Sequence, residues 1–490
     1  MSVDIIAIAD PTRKTDDHTS YKTFLWNTLR LGFGTGAGQL LMLASTPIIA
    51  RMYRPDIVGE AQIVMSVAGT LAVVASLRLE LALPLPKDDA TAARLFRVIA
   101  ALALASSLLI AFVVLVADSS LARWLGLRTA TLLWALVPIV LLTSLTQVHS
   151  LWLTRTGRFG TLAAARFAGV GSLAAVQVAL GLWRNAAASS LLIGVIAGGA
   201  VSLAIQMAER RQQLLALSAS VRAVPLMTLL KGYKNFAIYS LPYSFLCQLS
   251  RTAVIVLLGV FGHKEAVGLY AFAFRVTCAP VSLVMAALNQ VFYKSAAEDD
   301  PHRLTTLIAH TQELIVKLAV PVLAIVWAHD SLIISIAFGP RWSAATRYMD
   351  VLALMSFAYL LTSWLDRIYD ARQRQRLALA LEAGFDLISL GLFLLVLART
   401  GDPLLAVMAL TAVTVVYCAV WFVITIHIGR LDGARLANTL APLIIMTIVG
   451  SGIATWIIRA LLPLSASLLV CAVLLPPYYY CVVSKYRSLV

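Results

Sequence analysis

Charge is what this chain has little of. Only 13% of its 490 residues are Asp, Glu, Lys or Arg, against 60% hydrophobic residues, and the mean hydropathy is +0.86. A soluble domain carries about a quarter of its residues charged, so a soluble globular fold is excluded. Acids are the scarcer sign, 24 against 39 Lys and Arg. Cysteine is sparse too. Cys247, Cys278, Cys418, Cys471 and Cys481 fall in or beside apolar stretches without Cys-x-x-Cys or other metal spacing, which argues against a disulfide framework or a zinc site. The apolar run Ile5 to Ala9 is too short for a cleavable signal, so the first span is expected to stay in the mature protein. A nucleophile–base constellation is also missing. The longest outer connection, near His329 to Ala345, is short for an acceptor-binding loop, so a polysaccharide polymerase or ligase is poorly supported.

What the chain does have is apolar runs of about 20 residues, the length that crosses a bilayer as a helix. They fall near 26–50, 60–83, 92–117, 130–153, 161–182, 187–208, 235–261, 266–290, 305–328, 346–370, 377–398, 404–428, 437–458 and 462–483. The expectation is an all-α polytopic membrane protein with about fourteen transmembrane helices. With an even number of spans both termini share one side. That side also holds Lys87, Arg94, Arg97, Arg155, Arg158, Arg166, Arg210, Arg211, Lys294, Arg372, Arg374, Arg376, Arg430 and Arg435. The excess makes it cytoplasmic by the positive-inside rule. The net charge of +15 is then mostly topology, with no reason to invoke nucleic acid.

The two halves echo each other. Val58-Gly59 opens the second span as Val267-Gly268 opens the eighth, Leu125-Gly126 precedes the fourth as Phe338-Gly339 precedes the tenth, and the basic turn Arg155 to Arg158 is matched by Arg372 to Arg376. Six spans per copy give both copies the same orientation, related by an axis along the membrane normal, with a central cavity expected between them. The predicted organisation is a cytoplasmic tail at 1–23, an N-lobe at 24–208, an inter-lobe linker at 209–234 and a C-lobe at 235–428. Two extra helices at 437–483 and a cytoplasmic tail at 484–490 complete it.

Four stretches also carry a family resemblance: Arg51-Met52-Tyr53-Arg54-Pro55-Asp56-Ile57-Val58-Gly59, the run Ser76 to Pro84, the run Gly268 to Val276, and Gly339-Pro340-Arg341-Trp342. In order and spacing they resemble the Wzx-type polysaccharide-biosynthesis flippases of the multidrug/oligosaccharidyl-lipid/polysaccharide exporter superfamily. The resemblance implies a two-lobed bundle in a bacterial inner membrane. By alternating access it would move an undecaprenyl-pyrophosphate-linked glycan from the cytoplasmic to the periplasmic leaflet. It also implies a polysaccharide polymerase and a chain-length regulator as partners, and no cofactor. A multidrug or cation exporter of the same superfamily is the alternative.

Charges inside spans are the candidate site, because each costs about 2.5–3.5 kcal/mol to place in lipid. Arg251 and Arg275 have no carboxylate three or four residues away, and a guanidinium forks well onto phosphate oxygens. Lys317 has Glu313 four residues before it, the order that favours an intrahelical pair. Arg78 and Glu80, two apart on a predicted helix, would point to nearly opposite faces and so not satisfy one another; they are read as a lumen or gate pair. Arg30, one turn into the first span, is a further substrate-binding candidate. Glu382 and Asp386 stand four apart, a like-charge spacing that asks for a cation, a proton or a basic partner, and Asp386 is the candidate for proton or sodium coupling. Asp366 and Asp370 lie close to the expected cytoplasmic boundary and are expected to pair locally, Arg367 with Asp370 at a spacing of three. Gly32, Gly34, Gly36 and Gly38 suit close helix packing. His149 is expected at the membrane interface.

Overall fold

The computed structural model describes residues 37–487 apart from 40, 87, 184–185, 218–231, 235, 298–300, 367, 370–371 and 373. It gives the backbone alone at 210–217, 251 and parts of 279–297 and 483–487. The longer helices in chain order are α1 (residues 41–52), α2 (Pro55–Ala75), α3 (Asp89–Trp124), α4 (Leu136–Arg155), α5 (Phe159–Leu182), α6 (Ala188–Leu217) and α7 (Leu241–Val260). They continue as α8 (Lys264–Ala297), α9 (Pro301–Ala337), α10 (Ala345–Thr362), α11 (Gln375–Thr400), α12 (Pro403–Gly429), α13 (Gly433–Leu461) and α14 (Leu464–Arg487). There is no strand among the described residues. Eleven of the described helices are long and apolar enough to cross a bilayer, or twelve if the bent α7 segment counts as one span. The chain is therefore a multi-pass helical membrane protein.

The helix ends follow from local chemistry. Gly401 ends α11 in the left-handed region at φ 66°, Asp402 then caps α12 by accepting the Leu404 N–H at 2.8 Å, and Pro403 fills the first helical position. Asp88 caps α3 through the Thr91 N–H at 2.7 Å, and Asp432 caps α13 through that of Arg435 at 2.9 Å. At the end of the bundle where α2 begins, Trp124, Trp183, Trp327 and Trp456 stand exposed, as residues of a membrane–water boundary do.

Helices α2 to α6 pack among themselves, as do α7 to α12, and the two groups meet chiefly through α2 against α7 and α8. The axis of the α7 segment turns by 50° between Gly232–Ser250 and Thr252–Val260, at the position of Arg251. The last pair lies outside both groups. Helix α13 packs on α9, and α14 on α9 and α13. Pro321 lies inside α9 and has no N–H for the carbonyl of Lys317, which instead accepts the Tyr478 hydroxyl at 3.0 Å; the next carbonyl, Leu318, accepts Tyr479 at 2.7 Å. Further along, buried His329 bonds Ser467 at 2.8 Å where α9 departs from helical geometry.

Two expectations about local structure fail. The second span does not run as one helix from 60 to 83: α2 stops at Ala75, Leu77 and Arg78 take positive φ of 52° and 56°, and Leu79–Ala82 form a separate 3-10 turn. His149 is not interfacial. It is buried edge-on against Phe96 at 4.9 Å and donates from Nδ1 to the Leu145 carbonyl at 2.8 Å.

Candidate functional site between the lobes

The repeat-matched glycines meet. A Cβ on Gly59 would lie 1.9 Å from the carbonyl oxygen of Lys264 and 3.0 Å from the Gly268 nitrogen; a Cβ on Gly268 would lie 1.9 Å from the Pro55 carbonyl oxygen and 3.2 Å from the Gly59 nitrogen. The contact is reciprocal, as a two-fold relation between the copies requires, and only a residue without a side chain allows it.

Two turns reinforce this seal from opposite sides. The α3–α4 turn places Gly126, at φ 69°, so that its Cβ position would sit 2.3 Å from the carbonyl oxygen of Gly259 on α7. Its counterpart, the α9–α10 turn, sends Trp342 to α1, where the indole N–H donates to the Ala50 carbonyl at 2.6 Å, and Arg51 donates back to the Ile336 carbonyl. Trp342 is buried against Phe272 at 4.5 Å, and Phe272 meets Phe338 edge-on at 4.6 Å. At this end of the bundle the two lobes are shut.

An ionic cluster crosses the same seam. Lys264 donates to Glu60 at 3.0 Å, and the same carboxylate oxygen accepts the Arg128 backbone N–H at 3.0 Å, with Arg128 Nε 3.5 Å away. Arg128 also bonds Asp56, which Arg54 reaches at 3.1 Å. The hydrogen bond that Arg128 donates to Asp56, then the charge of Glu60, raises the Arg128 pKa further. Asp56, Glu60, Arg128 and Lys264 were not read as site residues from sequence. Their signal was their place beside the repeat-matched glycines: Glu60 follows Gly59, and Lys264 stands one turn before Gly268.

Arg275 sits two turns below Gly268 on the same face of α8, half-buried, with no ion pair or hydrogen bond among the described residues. Lys317 does pair with Glu313, as the spacing predicts. Arg78 and Glu80 correct the expectation that they cannot satisfy one another: because the helix has ended, Arg78 Nη1 reaches Glu80 Oε1 at 3.2 Å. Arg78 Nε and Glu80 Oε2 stay buried without a hydrogen-bond partner among the described residues. Arg30, Gly32, Gly34, Gly36, Arg367 and Asp370 lie outside the described residues, as does the side chain of Arg251.

Glu382 and Asp386 are half-buried on α11. Glu382 lies within electrostatic range of Tyr243 on α7 and Tyr417 on α12, and Asp366 reaches the same two tyrosines. No group of three or more His, Cys, Asp or Glu able to hold a metal occurs among the described residues.

The fold is that of a known class of membrane proteins. The chain is similar to the lipid II flippase MurJ in an inward closed conformation, with a TM-score of 0.66 at 12% identity over 94% of this chain and 99% of that one. It is similar also to an inward-facing multidrug resistance MATE family transporter of the MOP superfamily, at 0.64 and 15% over 82% and 95%. A third, a MOP superfamily transporter from Pyrococcus furiosus, matches at 0.52 and 15% over 85% and 96%. No curated protein matches by sequence. Residues 48–347 match the family model described as polysaccharide biosynthesis protein, and the chain belongs to that family.

Proposed function

We propose that the protein is a flippase that carries an undecaprenyl-pyrophosphate-linked oligosaccharide from the cytoplasmic to the periplasmic leaflet of a bacterial inner membrane. Both termini are then cytoplasmic, and the shut end is periplasmic. The observation that carries the reading is Arg275, a guanidinium without an ion pair or hydrogen bond among the described residues, on the lobe-facing stripe of α8 directly below the seal. A cation so placed needs an anion, and a diphosphate offers the forked acceptor that a guanidinium fits. Arg251, one helix away and at the bend of α7, is proposed as its companion. Arg30, Arg78 and Lys317 are the remaining contacts, Lys317 only when Glu313 releases it. Glu80 acts with Arg78 at the cytoplasmic mouth.

Polysaccharide biosynthesis supplies the substrate class, since membership in that family calls for a step that handles lipid-linked glycans. Deletion of the gene should leave lipid-linked repeat units on the cytoplasmic leaflet, recoverable by lipid extraction. Normal polymer export without accumulation would sink the reading. Cycling is proposed to draw on a proton or sodium gradient through Asp386 and Glu382, because a gradient can drive a conformational cycle only through a group whose occupancy differs between states. Asp386→Asn should abolish the dependence of transport on the gradient; unchanged dependence removes the residue from coupling.

A further inference from the structure

Lys264, Gly268 and Arg275 share one face of α8, because steps of four and seven residues bring side chains back to within about 40° of one another. Gly268 fixes where that face points, since it abuts Gly59 across the lobe contact. The stripe therefore runs down the inner wall of the C-lobe. Lys264 stands at the sealed end and Arg275 about 16 Å deeper, at 1.5 Å of rise per residue. The two cations differ in their company. Arg275 has no partner among the described residues, whereas Lys264 is held by Glu60 at 3.0 Å.

Glu60 keeps its other donors within its own lobe, through the Arg128 backbone N–H and guanidinium. Its side chain is only 5% exposed. When the lobes part, the bond to Lys264 is the one that must break. Glu60 then still has Arg128, so it does not become an uncompensated buried charge. Lys264 has no such reserve among the described residues and becomes a free ammonium at the mouth. A cavity of about 590 Å³ lined by Arg128, His263, Lys264 and Glu265 already opens beside it. Glu265 opposes an anion there, against the two cations and the imidazole.

We infer that Lys264 is a second anion contact, exchanged between Glu60 in the shut gate and the diphosphate of the departing cargo in the open one. The identity of that anion rests on the flippase reading; the exchange itself does not. Cargo arriving from Arg275 competes with Glu60 for Lys264, so the anion favours the open gate by binding the open state better than the shut one. The gate thereby opens preferentially when loaded.

The test uses the full-length protein in nanodiscs with inorganic pyrophosphate as probe. Glu60→Gln frees Lys264 without removing its charge, and should bind pyrophosphate at least threefold tighter than the parent. Adding Lys264→Gln should erase that gain, and adding Lys264→Arg instead should keep it. In cells, Leu269→Cys on the cavity wall should become equally accessible to a thiol reagent in the Glu60→Gln and Lys264→Gln backgrounds. Export should fall at least fivefold further in Lys264→Gln. Equal export in the two variants, or no pyrophosphate gain in Glu60→Gln, reduces Lys264 to a latch and overturns the exchange. Were the pyrophosphate gain to hold while deletion left no lipid-linked units behind, the flippase reading would fall and the anion contact would stand.

Discussion

Setting Gly59 of α2 on Gly268 of α8 puts Glu60 beside Leu269, Ser66 beside Arg275 and Pro55 beside Lys264. The backbone contact obeys the repeat and the charges do not. A symmetric contact lets two lobes close against each other along an axis. An asymmetric one sets an acid, Glu60 on α2, against a cation, Lys264 on α8. Under the proposed function the anion contact Arg275 lies on α8, where the matched position of α2 is Ser66, while Glu60 of α2 holds the latch.

The comparison breaks most directly at the glycines. Gly59→Ala or Gly268→Ala puts a methyl 1.9 Å from a backbone carbonyl oxygen of the other lobe, and neither backbone has room to retreat without parting the lobes. Export should drop at least tenfold at normal membrane abundance. A cysteine at Ser66, buried in the parent, should become reactive to a thiol reagent. Gly384→Ala and Gly450→Ala, whose Cβ positions meet nothing within 4 Å, should leave both readings unchanged. If the two sets behave alike, the reciprocal contact is incidental.

The charges sharpen it next. Arg275→Ala should lower export about tenfold, the scale of a lost charge-assisted hydrogen bond to an anion, and Arg275→Lys should recover only part, since an ammonium cannot fork onto two oxygens. Ser66→Ala, the same position in the other copy, should stay within about twofold, since the copy that carries no guanidinium offers no comparable bond to lose. Equal effects in an export assay would mean that the lobes share the anion.

The glycines of the seal were legible as matched positions of the repeat, whereas their contact and the charges around it were not, and the reason is physical. Hydropathy is local, so the spans were legible, and the repeat marked Val58-Gly59 and Val267-Gly268 as counterparts, but nothing in the sequence said that they touch. Glu60 and Lys264 are 204 residues apart, and nothing in either helix alone says that they meet. Arg78 and Glu80 were misread for a different reason. Ala75-Ser76-Leu77-Arg78 contains no glycine or proline, so the helix was carried through two residues that in fact take left-handed φ. Tertiary packing around buried Leu79, Ala82 and Leu83 overrides the local preference. Asp366 does close its span, at the end of Ala345–Asp366, but its influence on Tyr243 of α7 and Tyr417 of α12 could not be read from its own segment.

The pair α13 and α14 has no copy in the first half of the chain, and so tests what the comparison leaves out. It is held to α9 where Pro321 has freed the Lys317 carbonyl, with Tyr478 and Tyr479 supplying the donors that the helix lacks. Tyr478→Phe and Tyr479→Phe each remove one hydroxyl while keeping the ring. Each should cost about 1 kcal/mol, because a carbonyl is left without its donor. The double variant should melt a few degrees lower in nanodiscs by intrinsic fluorescence, with export within about twofold of the parent, the small scale expected of one or two neutral hydrogen bonds outside the gate. Restoring the helical donor by Pro321→Ala should make the tyrosine hydroxyls dispensable, so that the triple variant recovers most of the lost stability. If the tyrosine variants instead abolish export at unchanged stability, α14 takes part in the gate's motion, and the mechanism is not confined to the two copied lobes.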